Sequence, residues 1–234
     1  MMAGKLDAEL LGLHAMELPL GASADGVGEW IADLQMVDIR AIEADTYAKL
    51  DAFFDGRGKE VRVRKLLGRG DAATEILAVA EREAVDFVAM PTRGLGAVEA
   101  FLFGSVTEQV LHRAACPVWT EGKLGGSVNG YEKVLCCVDL SAVSAQVIEW
   151  AALFAARFGA KLRVLHVGHG EDAMSELKRL TEGLQADCEV KGGEVEDVIL
   201  DSIEKDGADL LVIGRGGRKR LIRNSPCAVF SVVG

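Results

Sequence analysis

The sequence matches itself. "REAVDFVAMPTRG", Arg82 to Gly94, falls without a gap on "KDGADLLVIGRGG", Lys205 to Gly217, so that Asp86 meets Asp209 and Gly94 meets Gly217. Upstream, "ATEILAVAERE" and "VEDVILDSIEK" take matching places, and at a second offset "DAELLGLHA" (Asp7 to Ala15) pairs with "GAKLRVLHV" (Gly159 to Val167). A duplicated segment must fold as the same supersecondary unit in both copies, which constrains the architecture more than any single motif does. Each copy alternates short Val/Leu/Ile-rich runs with longer runs of helical period. That is the pattern of a parallel sheet covered by helices on both faces.

The second copy shows the order in full. "KVLCCVD" (Lys133 to Asp139) predicts a strand, "SAQVIEWAALFAARFG" an amphipathic helix closed by Gly159, and "KLRVLHVG" the next strand. A short helix near "DAMSELKRLTEGL", a strand at "CEVKG", a helix at "VEDVILDSIEK" and strands at "DLLVIG" and "CAVFSVV" complete a five-stranded doubly wound sheet. In the first copy nothing upstream matches "KVLCCVDLSAVSAQVIEW", so its first strand and most of its first helix are absent. It has instead a segment from Gly28 to Gly56 with Trp30, Ile31, Leu34, Val37, Ile39 and Ile42 at largely helical spacing. This predicts a packing helix, with Asp45, Asp51 and Asp55 facing solvent.

The fold class is therefore α/β: two tandem doubly wound parallel-sheet domains, 1–122 and 131–234, joined by a Gly-rich polar linker at 123–130. The first lacks its first strand and helix, and the second has a shortened last helix. A shortened gene, a misplaced start and an omitted segment would each give such a sequence.

Half of the 234 residues are hydrophobic, enough to build a core without cross-links. The net charge is -10, and Lys and Arg are scattered through both halves, which argues against nucleic acid as a partner. The apolar runs are broken well before the roughly 20 residues needed to span a bilayer, and "MMAGKLDAEL" lacks the basic-then-apolar order of a signal peptide. No membrane partner is expected, and a cytoplasmic location is. The five cysteines form an odd set without C-x-x-C spacing, and Cys136 and Cys137 adjoin in a strand, where side chains point to opposite faces. Free, reduced thiols follow.

Anions bind where a strand ends and a glycine-containing loop leads into a helix, because free N–H groups and the helix dipole face the crevice. Gly94 and Gly104 are separated by nine residues and Ser105 follows, which sets a hydroxyl and consecutive N–H groups at the start of "VTEQVLHRAA". Equally, Gly104 could serve only to let two helices approach, and Ser105 to cap the second. His14 and His166 share equivalent "LH" positions without a clustered Ser, Asp or Cys, and read as core residues. His112 and His169 lack metal-ligand spacing, so no metal is expected, and "RGGRKRLIR" (Arg215 to Arg223) could meet a phosphate or an acidic partner but reads first as a solvated turn. No nucleophile-and-base pair emerges, and no catalytic residue is assigned.

The order of strand and Asp, long helix, "LHV" strand, glycine loop, nine residues, "GSV" and closing "CPV" strand resembles the universal stress protein family in its tandem form, over nearly the whole chain. The resemblance implies a Rossmann-like fold of the adenine nucleotide alpha hydrolase type, with strand order 3-2-1-4-5 and ATP over the strand ends. In that pattern glycine, two residues, glycine, nine residues, glycine and Ser/Thr cradle the phosphates, and an Asp ending strand one contacts the adenosine. Carried over, it assigns Gly94, Gly104, Ser105 and Val106 in the first half, with Pro91 where the first glycine belongs and no N–H to offer there. The second half supplies Asp139, Gly214 and Gly217 but has no matching "GSV".

Neither half has a complete site. The implied function is a non-catalytic stress-response regulator with a weak or vestigial adenine-nucleotide site, for which ATP or another adenine nucleotide is a non-obligatory ligand. The alternative is a family member that hydrolyses ATP or transfers its phosphoryl group. A residual site is expected to favour the first half's loop, where the donors at Gly104, Ser105 and Val106 remain. The protein partner is not readable. The halves are expected to close as an intramolecular pseudo-dimer through "CPVWTE" (Cys116 to Glu121) and "CAVFSVV" (Cys227 to Val233), apolar edge segments that would otherwise seek another chain. A further homodimer is compatible with this.

Overall fold

The computed structural model describes residues 2–16, 39–55, 61–92, 104–122, 130–170, 172–216 and 219–233. By its internal contacts the chain divides into two units, Met1–Arg82 and Glu83–Gly234.

In the first unit the helix α1 (Met2–Leu6) precedes β1 (Leu10–Met16), and α2 (Ile39–Phe54), β2 (Val63–Arg69) and α3 (Ala72–Arg82) follow. The strands pair in parallel from Leu10↔Val63 to Met16↔Arg69 as a two-stranded sheet. α3 packs on both strands and α2 on β2. Asp71 starts α3 as its cap, its Oδ1 accepting the Thr74 N–H at 2.8 Å and the Thr74 hydroxyl at 2.7 Å. Asp45, Asp51 and Asp55 face solvent as expected, but so does Ile42, which is 41% exposed and not in the core. Two strands are too narrow a surface to cover a 16-residue helix, and Tyr47 and Phe53 are exposed on it too. Trp30, Ile31, Leu34 and Val37 lie outside the described residues.

The second unit runs β3 (Val88–Met90), α4 (Ser105–Arg113), β4 (Val118–Thr120), β5 (Lys133–Val138), α5 (Ser144–Phe158), β6 (Lys161–Val167), α6 (Ala173–Leu180) and β7 (Ala186–Lys191). It ends with α7 (Val195–Asp206), β8 (Leu210–Gly214), α8 (Lys219–Asn224) and β9 (Ala228–Val232). Its sheet has the order β3-β4-β9-β8-β5-β6-β7. Within it β7-β6-β5-β8-β9 is parallel throughout and is the 3-2-1-4-5 order expected of the second copy. β5 pairs with β6 on one side and β8 on the other, so Val134 to Val138 are buried. Gly159 stops α5 in the left-handed region, at φ 68°, with its N–H on Ala155 O.

The closing strands do pair. β4 runs antiparallel to β9, with Val118↔Ser231, Trp119↔Phe230 and Thr120↔Val229 in register. Phe230 is fully buried and contacts Phe87, Trp150 and Phe154, so rings from both copies share one aromatic cluster. The first copy's strands are thereby divided between two sheets, β1 and β2 in one, β3 and β4 in the other. In the second copy β5 bonds both β6 and β8. Among the described residues the first copy has no equivalent strand to join its two pairs.

Candidate functional site

In a doubly wound sheet a crevice opens beyond the carboxyl ends of the two strands at which the winding reverses. In the second unit these are β5 and β8, paired from Val134↔Leu210 to Cys137↔Ile213. A cavity of about 480 Å³ lies there, lined by Asp139, Ser144, Gly214, Arg215 and His112 among others. That is a size suited to a small organic ligand.

Asp139 follows β5 directly. Leu140 after it holds a φ of 60°, a left-handed conformation that costs a side-chain-bearing residue roughly 1–2 kcal/mol and turns the chain sharply. The turn brings the Ser141 N–H to Asp139 Oδ1 at 3.0 Å and the Ser144 hydroxyl to the same oxygen at 3.3 Å. Partial burial raises the carboxyl, but the hydrogen bonds from Ser141 and Ser144 together outweigh it and leave Asp139 below its ordinary value. It therefore presents a carboxylate at neutral pH.

Gly214 ends β8 beside it. A methyl group there would meet Val143 and Val147 at 3.8 Å, ordinary contact, so packing alone does not demand glycine. Arg215 comes next, its N–H on Val232 O at 2.8 Å. Its guanidinium reaches the first copy's closing segment, Nη1 donating to Ala114 O and Nη2 to Cys116 O at 2.6 Å, while Nε is buried without an acceptor. Burial holds Arg215 below its ordinary value, with Cys116 acting in the opposite sense. His112, exposed on α4, lines the same cavity.

The other expected site residues lie elsewhere. The Gly104 N–H donates to Thr92 O at 3.0 Å and the Thr107 hydroxyl to Pro91 O at 3.0 Å, tying the start of α4 to the end of β3. Because β4 is parallel to β3 but antiparallel to β9, the carboxyl ends of β3 and β4 face the opposite edge of the sheet from those of β5 and β8. Ser105 stands about 10 Å along α4 from His112, at 1.5 Å per residue. The structure thus brings Asp139 and Gly214 together and separates Gly104, Ser105 and Val106 from them. Gly94 and Gly217 lie outside the described residues. Ser105 is not the cap of α4 either, since Gly104 holds the cap position and no side chain bonds there.

Two sequence expectations need correction. Among its described residues the basic run from Arg215 is only partly solvated: Gly216, Arg220 and Arg223 are exposed, Arg220 pairing with Glu196 at 3.2 Å, but Arg215 is half-buried and Leu221 and Ile222 of α8 are in the core. His14 is exposed rather than core, whereas His166 is half-buried with Nδ1 2.9 Å from Val138 O. That carbonyl belongs to β5, which has no counterpart among the described residues of the first copy. Arg215, from the run that could meet a phosphate, lines this cavity, and so does His112, which carried no site reading. The signal for Arg215 is its place directly after Gly214. His112 has none, because only the antiparallel closure of β4 on β9 carries it to a second-copy crevice.

Among the described residues no three His, Cys, Asp or Glu side chains gather as metal ligands, and all five cysteines are free thiols. No described helix is long and apolar enough to cross a membrane.

The sequence profile of the universal stress protein family matches residues 1–120 and 130–182. A universal stress protein of Methanocaldococcus jannaschii is 29% identical over 119 residues, which are 50% of this chain and 66% of that one. Another, of Methanothermobacter thermautotrophicus, is 45% identical over 58 residues, 25% of this chain and 39% of that one. The chain thus spans less than two thirds of the length of these curated relatives. The crystal structure of a universal stress protein from Archaeoglobus fulgidus has the same fold, with a TM-score of 0.74 at 23% identity over 98% of this chain and 89% of that one.

Proposed function

Because the chain belongs to the universal stress protein family, in a tandem, Rossmann-like α/β form, we propose that it is a non-catalytic regulatory protein of the stress response that binds an adenine nucleotide weakly in the crevice between β5 and β8. The supporting observation is the juxtaposition of Asp139 and Gly214 around a cavity of about 480 Å³ at the reversal of winding. In this reading the Asp139 carboxylate accepts from the ribose hydroxyls and Gly214 leaves room for close approach, and the family pattern adds Gly217. In the same reading the two family domains are 1–122 and 131–234 around the 123–130 linker, and the two halves close through β4 and β9 as an internal counterpart of a dimer, which the antiparallel β4–β9 ladder supports.

Two features favour binding over turnover. The second copy has no equivalent of the "GSV" that would grip a polyphosphate, and the Asp139 carboxylate is already engaged by Ser141 and Ser144. Two features weigh against the first copy's loop as the main site. Pro91 offers no N–H, and the Gly104 N–H is spent on Thr92 O.

Titration calorimetry with adenosine and magnesium-ATP, together with steady-state phosphate release, tests this. Expected are ATP binding weaker than micromolar, no turnover, and a loss of about tenfold or more on Asp139→Ala, with Ser105→Ala unchanged. Micromolar ATP affinity with steady turnover would restore the enzyme reading. Loss on Ser105→Ala alone would move the site to the first copy.

A further inference from the structure

Resting on that reading, we infer that Arg215 and His112 form an anion-recognising wall of the β5–β8 crevice. The second copy's pocket is then completed by the first copy's last helix, and it selects nucleotides by the phosphate nearest the ribose.

The cavity is bipolar. Asp139 presents a carboxylate held by Ser141 and Ser144. Extending the β5–β8 register by two places sets the Arg215 backbone level with it, on strands about 4.8 Å apart, while the guanidinium reaches the other way, across β9 to the turn before β4. Among the described residues no carboxylate lies within ion-pair distance of Arg215. Its acceptors are two carbonyl oxygens, Ala114 O and Cys116 O, and a third donor, Nε, has none. A half-buried guanidinium satisfied only by neutral acceptors is electrostatically unspent, and a second hydrogen-bonding side chain, His112, lines the same cavity.

A nucleotide has the complementary polarity, with hydroxyl donors on the ribose and an anion attached to it. The spacing allows a ligand anchored at Asp139 to reach Arg215 with its first phosphate. The two carbonyls that orient the fork come from the turn after α4, so the first copy positions a specificity group for the second. This arrangement takes the place of the phosphate-gripping loop that the second copy lacks.

The test compares adenosine with adenosine 5′-monophosphate by titration calorimetry on the full chain at fixed salt. The monophosphate should bind at least about tenfold more tightly than adenosine. Arg215→Gln should bring it down to the adenosine level while adenosine itself is unaffected, and His112→Ala should narrow the preference. A merely structural Arg215 would lower both affinities together and leave their ratio alone. If Arg215→Gln loosens the fold, as an early melt would show, exposed His112 decides: an unchanged preference in His112→Ala overturns the inference. Equal binding of the two ligands to the wild type overturns it as well and leaves the adenosine reading standing. Failure of both ligands to bind removes that reading and the inference together.

Discussion

Replacing Tyr131 by Phe should make the protein less stable near neutrality and yet less sensitive to alkali. Tyr131 is 7% exposed, meets Phe158 and Phe154 edge-on at 4.9 and 6.2 Å between ring centroids, and accepts the Trp119 indole N–H at 2.8 Å. Burial pushes its phenol up to about 12, against the opposing effect of the Trp119 hydrogen bond, from an ordinary value of 10.0. A raised folded-state value means that the folded chain keeps its proton after the unfolded chain has lost it. The stabilisation is therefore whole below about pH 10 and is lost as pH rises through about 12. A displacement of this size is worth about 2.7 kcal/mol in all, of which about 1.4 kcal/mol is gone by about pH 11. Phe cannot ionise and escapes that loss, but forfeits the Trp119 hydrogen bond, about 0.5–1.5 kcal/mol. Cys227, pushed up to about 11 by burial, adds an alkaline loss common to both proteins. Urea unfolding of wild type and Tyr131→Phe at about pH 8 and about pH 11, under reducing conditions, isolates the difference. The wild type should fall by about 1.4 kcal/mol more than the variant. Equal falls would refute desolvation of Tyr131 as the cause.

Gly214→Ala should leave unfolding free energy within about 1 kcal/mol of wild type, since the new methyl makes ordinary contacts with Val143 and Val147, yet weaken adenosine binding. A stable variant that binds as well as wild type would show that Gly214 does not border the ligand. Phe230→Ala should cost about 3–5 kcal/mol by denaturant unfolding, because a fully buried ring touching Phe87, Trp150 and Phe154 leaves a cavity; a cost under about 1 kcal/mol would contradict this packing. Cys136 is 0% exposed and burial raises its thiol well above the ordinary value, so it should resist thiol reagents in the native protein, whereas denaturation without reductant should expose all five thiols. Three or fewer recovered thiols would mean that disulfides exist.

What could be read from the chain was whatever repeats or alternates locally. The helix stop at Gly159 and the apolar run of β5 follow from periodicity and duplication, because backbone hydrogen bonding and one-sided burial act over a few residues, whereas the strand order of the second copy came from the family resemblance. The pairing of the closing strands was legible for a related reason, since two apolar edges in one chain have few other ways to become satisfied. Asp139 and Gly214 were visible as strand ends. Their meeting depends on β5 and β8 being neighbours, which the 3-2-1-4-5 order implied by the family resemblance already contained.

Tertiary structure alone decided the rest. His14 and His166 share the same "LH" strand position, yet one is exposed and the other meets Val138 O, because that carbonyl arrives on a strand with no counterpart among the described residues of the first copy. Gly104, Ser105 and Val106 match a phosphate motif in sequence but face the opposite sheet edge from Asp139, since β4 and β9 join antiparallel. The same reversal swings the far end of α4 round to the crevice and puts His112 beside Arg215. Contacts between residues about a hundred positions apart carry no periodic signature. They exist because a sheet edge, once closed, fixes the direction of everything attached to it.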